Sequence, residues 1–270
     1  MSTPHYQIAQ NIADRFSQLP QVEAVAIAGS VATGRANASS DIDVYIYPSS
    51  DIPADVRLSI GQEFSKDAQI VDYWGPAVVW FDPATGIEVE ALFFHIRWME
   101  DLVLKPLVQH QAQTGFTTSF WHTIKVSKIL FDRSGWLAGL QQQANQPYPN
   151  ELVQAIVNLN YPLLRNIYPS YRAQIESAIR RQDAVMINKA SVEFLESYFD
   201  ILFALNRMPH PGTKRMLDIV EAECPIRPPN LRQQVTRLMQ AACNPSHDTL
   251  ITVDALVDGL KTLLQSQKLI

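Results

Sequence analysis

Two short apolar stretches joined by a glycine-led turn constrain this chain more than anything else in it. Val22-Glu23-Ala24-Val25-Ala26-Ile27-Ala28 is apolar nearly throughout and predicts a strand that stops at Gly29-Ser30. Further on, Asp41 to Tyr47 alternates: Val44 and Ile46 fall on one face, Asp41, Asp43 and Tyr45 on the other. That period of two is the mark of a half-buried strand. Between the strands, Val31 to Arg35 predicts a short helix, which places the Gly-Ser turn at a helix N-terminus.

The spacing has chemical content. Carboxylates at i and i+2 on a strand point to one side of a sheet, so Asp41 and Asp43 reach the same hard cation. The turn ahead of them offers backbone N–H groups and a helix dipole to an anion. Metal beside phosphate is the layout of phosphoryl or nucleotidyl transfer, in which a divalent ion neutralises the charge that develops on the leaving group.

The flanking sequence predicts more elements of the same kind. Pro4 opens a helix over 4–19 with Ile8, Ile12, Phe16 and Leu19 at helical spacing. Pro53 begins another, running to about Lys66. Ala77 to Phe81 and Ile87 to Phe94 flank Asp82-Pro83-Ala84-Thr85-Gly86, a hairpin with Pro and Gly in its loop. On its second strand Glu88 and Glu90 share one face, while Val89, Ala91 and Phe93 share the other. Either that face is wet, or one glutamate supplies the further oxygen that metals held by two aspartates require.

Gly29, Ser30, Gly34, Ser40, Asp41 and Asp43 occupy the positions of the Gly-Ser-x-x-x-Gly-x(n)-Ser-Asp-x-Asp motif, and over about residues 22–94 the chain resembles the DNA polymerase beta type nucleotidyltransferases. The resemblance implies a small mixed sheet flanked by helices, an α+β catalytic domain. It implies that Asp41 and Asp43 hold two Mg²⁺ ions against the triphosphate of an NTP, with Gly29, Ser30 and Ser40 on the nucleotide side. It also implies a third carboxylate that binds the metal activating the acceptor hydroxyl and, in several antibiotic-modifying members, serves as general base. Val89-Glu90-Ala91 fits the usual setting of that residue best, with Glu88 in reserve.

From Phe116 onward the sequence predicts helices: Ser119 to Leu130, Trp136 to Gln143, Glu151 to Tyr168, Arg172 to Arg181 and Ala184 to Asn206. The last carries a broad apolar stripe through Ala190, Phe194, Tyr198, Ile201 and Leu205, as a bundle helix does. The expected organisation is a nucleotidyltransferase domain over 1–134 and an all-α bundle domain over 135–270. Beyond that helix, Asn206 to Arg215 is a turn broken by Pro and Gly, carrying Lys214 and Arg215 into the first turn of a helix through Met216. Cations oppose the dipole there, so either they are simply solvated or they face an anion. The layout is similar to the helical domains of streptomycin-spectinomycin type adenylyltransferases, which implies a phosphate contact for Lys214, ATP as donor and an aminoglycoside-like hydroxylated acceptor.

Composition narrows the partners. With 22 Lys and Arg against 27 Asp and Glu, the net charge is −5, which counts against nucleic acid as the main partner. No apolar run reaches the roughly 20 residues of a membrane helix, and no secretory leader is recognisable, so a cytoplasmic, soluble protein is expected. Cys224 and Cys243 lack metal-ligand spacing and read as free thiols. His95 and His122 read as core or surface residues. Of Trp74, Trp80, Trp98, Trp121 and Trp136, most belong to cores, and one or more offers a stacking platform. Two other readings stay open beside antibiotic modification. One is nucleotidylation of a protein or tRNA in the manner of toxin-type enzymes. The other is a nucleotide-binding regulatory module without catalysis.

Overall fold

A computed structural model describes residues 4–37, 40–73, 75–241 and 247–270; Trp74 and Cys243 lie outside them. Packing divides the chain into two compact units, Met1–Leu104 with Phe120–Gln146, and Lys105–Ser119 with Pro147–Ile270.

The first unit is α+β. Its elements are α1 (Pro4–Phe16), β1 (Val22–Ile27), α2 (Gly29–Ala32), β2 (Ile42–Pro48), α3 (Ala54–Phe64), β3 (Gln69–Ile70), β4 (Ala77–Phe81), β5 (Glu88–Phe93), α5 (Ser119–Val126), β6 (Lys128–Asp132) and α6 (Trp136–Ala144). Helix α4 (Ile96–Gln109) begins in this unit and ends in the other. The six strands form one mixed sheet in the order β3-β4-β5-β2-β1-β6, with β2 parallel to β5 and antiparallel to β1.

Period-two patterning decides which side of this sheet is filled. Ile42, Val44 and Ile46 of β2 and Val89 and Ala91 of β5 are wholly buried, together with Ile12 and Phe16 of α1 and Ile60 of α3. Removing that much apolar surface from water is the main force holding α1 and α3 to the sheet. The opposite face of β2 presents Asp43, Tyr45 and Tyr47. Tyr47 packs on Trp136 of α6 at 5.2 Å between ring centroids, and Trp121 Nε1 of α5 donates to the Ala144 carbonyl at 2.7 Å. Because α6 packs here, this unit runs on past residue 134 to Gln146.

Several elements differ from the sequence expectations. α1 ends at Phe16 rather than Leu19, because the chain turns through Ser17-Gln18. Pro53 is the N-cap of α3 and not its first helical residue. The helix expected from Ser119 to Leu130 stops at Val126, and Lys128 to Asp132 becomes β6, an edge strand on β1. Ile129, Leu130 and Phe131 suit a pleated, half-buried surface better than a helix end.

The second unit is a helical bundle of α7 (Asn150–Arg165), α8 (Tyr171–Arg180), α9 (Ala184–Leu205), α10 (Met216–Glu223), α11 (Leu231–Ala241) and α12 (His247–Ser266). α9 packs against α7 and α8, and every residue from Ser197 to Leu205 is buried. The loop 110–118 joins this unit through buried polar contacts. Asn160 Nδ2 donates to the Gln113 carbonyl at 3.1 Å and its Oδ1 accepts from Gly115 N–H at 3.1 Å. Thr117 donates to Asp200 from both its N–H (3.0 Å) and its hydroxyl (2.6 Å). Arg165 and Arg172 both pair with Asp254, tying α7 and α8 to α12. Among the described residues no helix is long and apolar enough to cross a membrane.

Candidate active site

β2 is the central strand of the candidate site because its two neighbours bring the other groups. The parallel register sets Asp43 directly beside Glu90 of β5, one residue after the buried pair Ile42 and Val89. On the other side, β1 ends where Ala28 N–H donates to the Asp43 carbonyl at 2.9 Å, delivering Gly29 against the same aspartate. A Cβ at Gly29 would overlap Asp43 Oδ2 and lie 2.9 Å from Cγ, and the backbone there has φ +59°. Only glycine meets both conditions without strain.

The loop is closed by its own hydrogen bonds. Thr33 Oγ1 donates to the Gly29 carbonyl at 3.1 Å, and Arg35 N–H donates to the Ser30 carbonyl at 3.0 Å. Ser30 Oγ is buried and has no hydrogen-bond partner among the described residues. A buried hydroxyl left so costs about 1–3 kcal/mol, a cost that an incoming polar ligand removes. Ser40 serves the turn ahead of Asp41: its Oγ accepts from Asn37 N–H at 2.9 Å. Asp41, Asp43, Glu88 and Glu90 are all half-buried. Glu88 stands opposite Phe81 of β4, one step along the face from Glu90.

Electrostatics links the neighbouring side chains. Burial, then the charges of Asp43 and Glu90, raise the Tyr45 phenol above its ordinary range, so it is a neutral hydroxyl beside the carboxylates. His122 of α5 is pushed down to about 4 by burial, reinforced by Arg35 and Lys125, which keeps it uncharged at neutral pH.

The remaining expected residues fall elsewhere. Lys214 is exposed in the turn before α10 in the second unit, and the helix starts only at Met216. Arg215 is therefore its N-cap, with φ 59°, and its Nε donates to Asp218 at 3.0 Å. His95 Nε2 lies 2.9 Å from the Ser49 carbonyl, and its Nδ1 accepts from Arg97 N–H at 3.2 Å, a local structural role. Cys224 is a buried free thiol. The sequence does not single out Arg35, marks His122 only as a core or surface residue, and places Tyr45 on the carboxylate face through its alternation.

Among the described residues no three Asp, Glu, His or Cys side chains are gathered into a ready-made metal cage. The donor set still suits a hard divalent cation. Carboxylate oxygens on adjacent strands are the ligands Mg²⁺ takes, with water completing its octahedron, and the unpartnered Ser30 Oγ lies in the adjoining loop.

Residues 10–73 match the family model described as polymerase beta nucleotidyltransferase. The matched stretch contains Gly29, Ser30, Asp41 and Asp43 and ends before Glu90. It is about a quarter of the chain and defines a nucleotidyltransferase domain, so the class of reaction is nucleotidyl transfer. The chain is also similar to solved structures, of which two are named. One is a nucleotidyltransferase-like protein from Exiguobacterium sibiricum 255-15, 12% identical, with a TM-score of 0.42 over 97% of this chain and 74% of that one. The other is a STING-associated CdnE c-di-GMP synthase from Capnocytophaga granulosa, 14% identical, with a TM-score of 0.30 over 98% of this chain and 81% of that one. Comparison with curated proteins finds no match.

Proposed function

We propose that the protein is a Mg²⁺-dependent adenylyltransferase that moves AMP from ATP to a hydroxyl of a small acceptor, an aminoglycoside-like antibiotic being the leading case. The observation that carries this reading is the register of Asp43 with Glu90, set against Gly29 inside the matched motif. In the reaction the acceptor oxygen attacks the α-phosphorus, the bond to the bridging oxygen breaks, and pyrophosphate leaves. Asp41 and Asp43 are the residues that hold the metal, and Glu90 orients the acceptor hydroxyl and takes its proton. When bound, Mg²⁺ supplies charge neutralisation on the phosphate oxygens. The Gly29 turn and the Ser30 hydroxyl receive the phosphate chain. Ser40 acts one step back, by closing the turn that presents Asp41.

The test is incubation with α-labelled ATP, Mg²⁺ and a panel of aminoglycosides. Label on an antibiotic supports the reading, and Asp43→Asn should remove it, by roughly 10³-fold or more, the scale on which phosphoryl transfer loses a charge-stabilising group. Unchanged transfer by that variant would sink the assignment. Label on protein or RNA instead selects the toxin-type reading, and ATP bound without transfer selects the regulatory one.

A further inference from the structure

The carboxylate face of β2 continues into a set of aromatic rings that nucleotidyl transfer does not by itself explain. Two residues beyond Asp43, Tyr45 meets Phe94 at 4.9 Å between centroids. Phe94 stacks on Trp98 of α4 at 5.5 Å, with the ring planes 13° apart. Phe120 closes the set edge to face, 5.0 Å from Trp98 and 6.1 Å from Phe94. All four residues belong to the first unit, together with the carboxylates.

The rings differ in access. Trp80 and Trp121 are core residues at 2% and 1% exposure, whereas Trp98 keeps 45% of its surface in water although two rings pack against it. Trp136 is engaged through Nε1, which donates to Glu100 at 2.6 Å. Trp98 is thus an indole that touches Phe94 and Phe120 and still keeps nearly half of its surface exposed. A rigid, partly exposed indole is a poor way to fill a core and a good way to receive a flat ring.

We infer that Trp98, braced by Phe94 and Phe120, is the stacking surface for the heteroaromatic base of the nucleotide donor. This rests on the nucleotidyl-transfer reading above and extends it to the base, on which the Gly-Ser and Asp-x-Asp residues are silent. The occupant follows from chemistry: every nucleotide donor carries a planar base, whereas a hydroxylated sugar acceptor carries none. Stacking reads the π-face and not the edge, so this surface gives affinity with little choice between bases.

The experiment measures equilibrium binding of two probes to the full chain with Mg²⁺: α,β-methylene-ATP, and inorganic tripolyphosphate, which has no base. Trp98→Ala is expected to weaken nucleotide binding about tenfold, the scale of one lost base–aromatic stack, and to leave tripolyphosphate binding unchanged. Trp98→Phe should recover most of the loss. Equal nucleotide affinity in wild type and Trp98→Ala overturns the inference. So does an equal loss of both probes, which marks a structural role. Asp43→Asn separates the two levels: it should weaken both probes alike, and if it weakens neither, the underlying reading fails whatever Trp98 does. A wild-type chain that binds neither probe overturns both.

Discussion

Gly29 and Asp43 leave no slack between them, and that fit is the most exposed point of the design at the level of single residues. Gly29→Ala places a methyl group into the Asp43 carboxylate at a backbone angle that side chains avoid. Urea denaturation should show a loss of about 1–3 kcal/mol, the usual cost of such strain. Transfer activity should fall further than stability does, because the aspartate itself is displaced. The paired glutamates give a second contrast. Glu90→Gln should lower kcat by about 10²–10⁴-fold, the range of a lost general base, while leaving nucleotide affinity nearly intact. Glu88→Gln, opposite Phe81 and not Asp43, should change kcat little. Steady-state kinetics on the two variants decides which glutamate faces the acceptor.

Among the elements, α9 carries an acid where the bundle is driest. Burial pushes the Asp200 carboxyl up to about 7, against the opposing effect of the two Thr117 donors. An acid raised in the folded state binds more protons folded than unfolded between its ordinary 3.8 and about 7. Its contribution to stability is therefore full below that window, declines as pH rises through it, and is flat above. Thermal melts of the wild type should drop between about pH 4 and 7, and Asp200→Asn should flatten that slope. The ion-pair cluster on α12 behaves differently. Asp254→Ala removes the partner that Arg165 and Arg172 share, leaving them Asp258 and Glu176 respectively, and should cost about 0.5–1.5 kcal/mol by denaturation, less in high salt.

How much of these elements could be read from sequence depends on how local their causes are. The alternation of Ile42, Val44 and Ile46 against Asp43 and Tyr45 is local, and so are the apolar stripe of α9 and the hairpin between β4 and β5. β6 is not local: Ile129, Leu130 and Phe131 become a strand only because β1 offers them an edge. Helix α4 was missed where Pro106 interrupts its pattern. The same distinction runs through the site. Gly29, Ser30, Asp41 and Asp43 are close in sequence and visible as a motif. Tyr45, Phe94, Trp98 and Phe120 are brought together only by strand register and the packing of α4 and α5.

At the level of the whole molecule, the excess of 27 acidic over 22 basic side chains bears on partners. Counterion release favours a basic surface, so filter retention of tRNA at about 0.15 M salt should be at background. Tight retention with a steep salt dependence would move the acceptor from small molecule to RNA. The chain also passes between its two units at three places, after residues 104, 119 and 146. During synthesis, the stretch 105–119 leaves the ribosome before either of its anchors, Asn160 and Asp200, has been made. At the usual 5–20 residues per second, Thr117 waits roughly 4–17 s for its carboxylate. For that interval the nascent chain carries an undocked loop between finished strands, which makes 105–119 the natural target for a chaperone or a protease acting on the emerging protein.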